Sequence, residues 1–382
     1  MVMSLPGLIP RAFSRITSMN FTGRKSGITS GKPMYSLRVK RIEILEKRRR
    51  QRILMFSLSG GLLFLFALYS IHSGVVSIST RDILEAFRAG ITGKSSRLST
   101  GHFSIIWDIR IPRVIMSIFS GAALSIGGVG MQGILRNPLV SPYTLGVSSA
   151  AAFGASLAIV IFSAAVIIPM AFLFSLLAVS FVLILANVKG LKSESLILAG
   201  IAVMYAFSSG VSLLQYLATK DQLTQIVFWL MGSLSSTTWK QVGFVSAVFV
   251  LIYPVLFRLS WHLNIMSSGT EAARSMGTHP ERVMTLMIIT VTLMTAVIVS
   301  FTGVIGFVGL AAPHIARLIF GSEHRVLFPS AALIGAVILL FSDTVARTLL
   351  GNTEIPIGII SSLIGVPFLI SILVNKQRNR IS

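Results

Sequence analysis

The sequence predicts an all-α membrane protein of about ten transmembrane helices, and three observations carry that expectation. The 382 residues are 53% hydrophobic and only 12% charged, with a mean hydropathy of +0.83, outside the range of water-soluble domains. Apolar runs of roughly 18 to 25 residues recur along most of the chain, each long enough to cross about 30 Å of hydrocarbon as a helix. The short alternating segments of a β-barrel are not what the runs look like. There is no cysteine, so neither a disulfide framework nor a thiolate metal site is available.

Taken in order, the runs fall near 53–71, 114–135, 143–163, 165–187, 195–218, 241–259, 283–302, 304–320, 326–349 and 355–374, with nine or eleven spans as the alternatives. The first follows "EKRRRQR", a basic stretch that anchors a span on the cytoplasmic side. The second is opened by "WDIRIPR" and carries Gly121, Ser125, Gly127, Gly128 and Gly130, small residues that let helix backbones approach closely in lipid. Pro138 and Pro142 break the chain after it, with Thr144, Ser148 and Ser149 available as caps for the third. Ser163 and Pro169 permit the turn between the third and fourth runs, and Gly303 and Gly306 the turn between the seventh and eighth. His314, beside Pro313 at the expected start of the eighth, reads as structural.

The domain division expected is a basic cytoplasmic extension over 1–52, a transmembrane domain over 53–376 and a cytoplasmic tail over 377–382. Up to Arg52 there are thirteen Lys and Arg against Glu43 and Glu46. The acid-free start has the look of a transit peptide, but a basic extension is preferred, and Met34 is an alternative start to Met1. Its charge suits an anionic inner leaflet. With ten spans both termini are cytoplasmic, and 24 Lys and Arg lie inside against 9 outside. Without the extension the ratio falls to 11 against 9, so the outer face is more basic than the positive-inside tendency explains. Arg110, Arg113 and Arg347 belong to that unexplained outer set and point to an acidic partner at the outer surface.

The formal net charge of +21 marks loops and tail and does not form a nucleic-acid surface with interleaved aromatics. Catalysis would need a cluster of ionisable or metal-binding groups among the helices, and the sequence offers neither a catalytic nor a metal-binding motif. "GITGKS", Gly90 to Ser95, puts two residues between its glycines where a phosphate loop needs four, so no cofactor is expected on this chain. Asp343 is the acid nearest mid-span, and Arg347 four residues on sits on the same helical face and can neutralise it. An ion-coupled carrier is the rival class. A polar, uncharged passage is expected to be lined by Gln132, Ser148 and Ser149. The loop after the sixth run, "GTEAARSMGTHPERV", carries a short helix: Thr270 as cap, "EAARSM" of high propensity, Gly277 as its left-handed end and Pro280 as a stop.

Together, "IRIPRVIMSIFSGAALSIGGVGMQGILRNPLVSPYTLGVSSAAAFGA", "ILAGIAV", "GTEAARSMG", "GVIGFVGLAAPHIARLIFGSEHRVLFPSAALIGA", "SDTVAR" and "EIPIGIISSLIGVPFLISIL" resemble the FecCD-type permease subunits of ATP-binding-cassette importers for ferric siderophores, haem and vitamin B12. The resemblance covers about Ile53 to Lys376. It implies a vitamin B12 importer-like bundle in the bacterial cytoplasmic membrane and a second permease subunit, identical or related. It also implies two cytoplasmic ATPases that use the ATP, an extracytoplasmic solute-binding protein, and ferric siderophore as cargo, with cobalamin or haem as the alternative. It implies ATPase coupling through Thr270, Glu271, Ala272, Ala273, Arg274, Ser275, Met276 and Gly277, and binding-protein docking at Arg110, Arg113 and Arg347.

Overall fold

The computed structural model describes residues 32–74, 76–93, 98–188, 192–351, 353–367 and 370. The start of the basic extension and the C-terminal tail lie outside them. The chain divides into two units, Met1–Ile53 and Leu54–Ser382. The described part of the first unit is the opening of a helix, α1, Lys32–His72.

The second unit continues α1 and adds α2 (Thr80–Thr92), α3 (Thr100–Ser104), α4 (Ile111–Leu135), α5 (Val147–Ile161), α6 (Ile167–Val188) and α7 (Ser193–Leu217). It goes on through α8 (Lys220–Met231), α9 (Trp239–Met266), α10 (Thr270–Ser275), α11 (Pro280–Thr302), α12 (Val308–Phe320), α13 (His324–Thr348) and α14 (Ile357–Pro367). No strand occurs among the described residues. Seven helical stretches are long and apolar enough to cross a membrane, and α5, α12 and α14 are shorter apolar helices, so the ten runs of the sequence all become helix. The span containing α4 begins earlier than its apolar run, at Thr100, and passes through a π-helical turn at Ile105–Arg110.

Four of the helices, α2, α3, α8 and α10, are not marked by apolar runs. Helix α2 starts at a capping box, Ser79 Oγ accepting from the Asp82 N–H at 3.2 Å while Asp82 Oδ2 accepts from the Ser79 N–H at 3.3 Å, and ends at left-handed Gly93. Helix α8 starts the same way with Thr219 and Gln222. Each box satisfies two amide donors that the first helical turn leaves without partners.

Helix α4 is the centre of the bundle, with 83% of its most apolar window buried, whereas the same measure for α1 is 6%. Its small residues explain how neighbours reach it. A methyl group on Gly128 would lie 1.8 Å from the Gly309 carbonyl oxygen of α12, and one on Gly121 would lie 2.3 Å from the Gly335 carbonyl oxygen of α13. Both obstacles are backbone, so neither can rotate aside. Around them pack Ile126, Val129, Met131, Met287, Ile288, Leu327 and Phe328, all with at most 1% exposure. Gly128→Val should therefore push α12 off α4. The expected cost is at least the roughly 1–3 kcal/mol of ordinary overpacking, seen as a lower melting temperature of the purified protein with unchanged helical content before the transition.

Three local expectations are corrected. The N-cap of α5 is Gly146, which is left-handed and offers no side-chain cap; Thr144 instead closes a capping box with Ser141, and Ser148 and Ser149 lie inside the first turn. Proline at 142 fixes a 3-10 turn there, which moves the helix start past all the hydroxyls but those two. Thr270 is the first residue of α10, after an N-cap at Gly269 with no side-chain cap. His314 sits within α12 and not at its start, because the helix begins at Val308 after Phe307, a residue with φ 65°.

Candidate functional site

Two clusters of charged residues in the second unit lie at the two ends of α4, about 37 Å apart for 25 residues of helix. At its first end, Arg110 and Arg113 are three residues apart and so share a face. They are joined by Asp343 and Arg347 from the last turns of α13 and by Glu354 from the segment leading into α14. The Arg113 Nε donates to Asp343 Oδ1 at 2.8 Å, and its Nη1 donates to both Glu354 oxygens at 2.8 and 3.0 Å. Asp343 Oδ2 faces Arg347 Nε at 3.5 Å, an ion pair without a hydrogen bond.

The other donors of these arginines close the end of α1. Arg110 donates to the carbonyls of Ile71, His72 and Val76 at 2.8, 3.0 and 2.6 Å. Arg347 donates to the carbonyls of Ser70 and Ser73 and to Ser70 Oγ. A helix leaves its last four carbonyls without intrahelical partners, and in α1 Ser73 supplies that of Tyr69 while two cations from elsewhere in the chain supply those of Ser70, Ile71 and His72. The three arginines thus converge as the charge distribution predicted, but they are turned inward, each no more than 7% exposed. Glu354, with 48% side-chain exposure, is the member that meets solvent.

The acid that completes this cluster was missed by sequence reasoning. Glu354 sits in "EIPIGI", an acid at the mouth of an otherwise uncharged span, and that isolation was its signal. The predicted pair of Asp343 and Arg347 on one helical face is present, though Arg113 makes the closer contact with that carboxylate.

At the other end of α4, Arg136 is a left-handed C-cap. Its guanidinium donates to the Met266 carbonyl, the end of α9, and to Thr270 Oγ1 at 3.3 Å, the start of α10. In α10 itself Ala273 is fully buried, while Glu271, Arg274, Ser275, Met276 and Gly277 are exposed and Ala272 is half-buried. Arg274 pairs with Glu281 of α11, and left-handed Gly277 turns the chain toward Pro280, the first residue of α11. The predicted coupling stretch is therefore a one-and-a-half-turn helix held at its base by Ala273 and presenting Met276 outward, 62% exposed. Ala273, one of the residues of the expected coupling stretch, is buried and forms the base of that helix.

The residues expected to line a passage do not come together. Gln132 is buried near the α10 end of α4, where its Oε1 accepts from Arg317 of α12 at 3.1 Å. Ser149 accepts from Ser208 of α7 at 3.4 Å, and Ser148 is half-buried one residue earlier. A separate open cleft of about 370 Å³ is lined by Thr224, Gln225, Ser233, Ser235 and Ser236 with Trp229 and Phe301, uncharged and hydroxyl-rich. Near it Tyr143 donates to the Ile305 carbonyl at 2.9 Å. No cluster of metal-binding side chains occurs among the described residues.

With this geometry in view, the chain can be set beside known proteins. Residues 62–375 match the FecCD transport family. The molybdate import permease MolB of Haemophilus influenzae is 37% identical over 83% of this chain and 94% of its own length. The Fe(3+)-citrate import permease YfmE of Bacillus subtilis is 35% identical over 72% of this chain and 84% of its own. A solved structure described as an inward-facing metal-chelate type ABC transporter superposes with a TM-score of 0.75 at 35% identity, covering 84% of this chain and 99% of that one.

Proposed function

Because the chain belongs to the FecCD transport family, and is thus the permease of an ATP-binding-cassette importer with ATP hydrolysis on a separate subunit, we propose that its cargo is a ferric siderophore complex. The observation that carries this is the superposition on a metal-chelate type transporter over nearly all of that chain. The relative named for ferric citrate supports it.

In this reading two copies, or one copy and a related permease, form the pathway in a bacterial cytoplasmic membrane with both termini inside. The exposed side of α10 receives a cytoplasmic ATPase. An extracytoplasmic solute-binding protein docks at the opposite end, where Arg113 is paired with the half-exposed carboxylate of Glu354. A carboxylate of the partner can take that place once docking excludes the water that screens the pair. Arg110 and Arg347 hold the end of α1 beside it. The hydroxyl-lined cleft is suited to a large polar complex, since it offers hydrogen bonds without a fixed charge.

The test is reconstitution in vesicles with the neighbouring ATPase and binding protein, following labelled ferric siderophore, cobalamin, haem and molybdate. ATP-dependent uptake of the ferric complex is expected. Uptake of cobalamin, haem or molybdate with none of the ferric complex would overturn the cargo. Uptake that follows an ion gradient and ignores the ATPase would overturn the coupling.

A further inference from the structure

We propose that a cavity at the α10 end of α4 is a binding site for a tetrahedral oxyanion. The cavity is about 390 Å³ and is lined by Gln132, Arg136, Arg317, Ser267, Ser322 and His324, among others, with no carboxylate in its wall.

The donor geometry points to an anion. Arg317 must donate, so the Gln132 amide turns its oxygen toward it. That leaves Gln132 Nε2 buried with no partner in a residue only 3% exposed. An amide N–H without an acceptor in such a place is costly, and an oxyanion beside it would supply what is missing. Arg317 has four further N–H donors beyond that bond, and a guanidinium presents them in a fork matched to oxyanions. The Ser322 hydroxyl stands on the same wall and can donate by rotation, whereas Ser267 Oγ already donates to the Asn264 carbonyl at 2.6 Å. His324 is not among the donors: its Nδ1 and backbone N–H both face Asn264 Oδ1 at 2.9 Å, so a neutral ring keeps a lone pair on Nε2.

Two full positive charges, Arg136 and Arg317, line the cavity. Because Arg136 also holds the end of α9 and the start of α10, an anion in the cavity is tied to the segment that carries Met276. The chemistry fits a free oxyanion and a lipid headgroup phosphate alike, and the two are separable by experiment.

The full chain is placed in phosphatidylcholine nanodiscs and titrated with labelled inorganic phosphate, with unlabelled sulfate or molybdate as competitor. Saturable binding of one phosphate per chain is expected, weakened at least tenfold by Arg317→Gln. Gln132→Glu should weaken it as much while keeping the fold, because the new carboxylate pairs with Arg317 and cancels its charge; an unchanged melting temperature checks this. In a second arm, discs containing phosphatidic acid and no free phosphate are compared with phosphatidylcholine alone. A rise in melting temperature that Gln132→Glu abolishes would assign the site to a headgroup phosphate. Phosphate binding that both substitutions leave intact would overturn the site. So would an absence of saturable binding together with no Gln132-dependent effect of phosphatidic acid.

Discussion

Asp343→Ala is expected to destabilise the protein by about 3–5 kcal/mol, the usual cost of removing one partner from a buried ionic group. Asp343 is fully buried and serves Arg113 at 2.8 Å and Arg347 at 3.5 Å. The intact network need not be strongly stabilising: a pair near 4 Å gains about 4 kcal/mol at an effective dielectric constant of 20, and burying each ion costs several kcal/mol. Removing the acid leaves that cost in place and deletes the gain. Glu354 can still answer Arg113 from its half-exposed position, but it reaches Arg347 only through space, and the remaining hydrogen-bond partners of Arg347 are neutral oxygens of Ser70 and Ser73. The measurement is unfolding in mild denaturant of the purified protein, with Asp343→Ala, Arg113→Leu and the double variant. The double variant should lose clearly less than the two singles together, because the charge left uncompensated is smaller. Strict additivity would show that Asp343 and Arg113 do not act as a pair.

Met276→Glu is expected to reduce ATP-driven uptake by at least tenfold with the melting temperature unchanged. Met276 is an apolar side chain exposed at the end of α10, in a segment otherwise fixed by Ala273 beneath, Arg136 at its start and the Arg274–Glu281 pair at its end. A flexible thioether fits an irregular pocket. A carboxylate forced into such a pocket without a partner loses several kcal/mol, more than the roughly 1.4 kcal/mol that a tenfold loss requires. Ala273→Glu is the contrasting variant: it should lower the melting temperature, since the buried base of α10 has no room for it. Equal uptake by Met276→Glu and the unaltered chain, at equal amounts in the membrane, would remove Met276 from the ATPase contact.

How much of this was legible in the sequence depended on the range of the interaction. The spans were legible because hydropathy is summed over twenty neighbouring residues, and each run became helix. Helices α2 and α8 were not read as such because they lack long apolar runs; their Ser79–Asp82 and Thr219–Gln222 boxes are local signals that could have found them. The convergence of Arg110, Arg113 and Arg347 followed from an excess of positive charge on one side of the membrane. Their inward aim did not, because it depends on carbonyls of α1 and on Asp343, which is 230 residues from Arg113 in sequence. Ala273 shows the same limit. A six-residue helix is written in "TEAARS", but which of its sides faces α9 and α11 is a tertiary fact.

The clamp on the end of α1 also sets a timetable for assembly. Synthesis delivers α1 first, yet the two side chains that close its carbonyls come much later: Arg110 follows Ile71 by 39 residues, and Arg347 follows Ser70 by 277. At roughly 5–20 residues per second the second wait is on the order of 14–55 seconds. Over that interval the last turn of α1 must keep its carbonyls in the hydrated headgroup layer, because hydrocarbon offers them no donor. Helix α1, made before the other described helices, is thus among the last to be locked, and its seat against the bundle is completed only when α13 arrives.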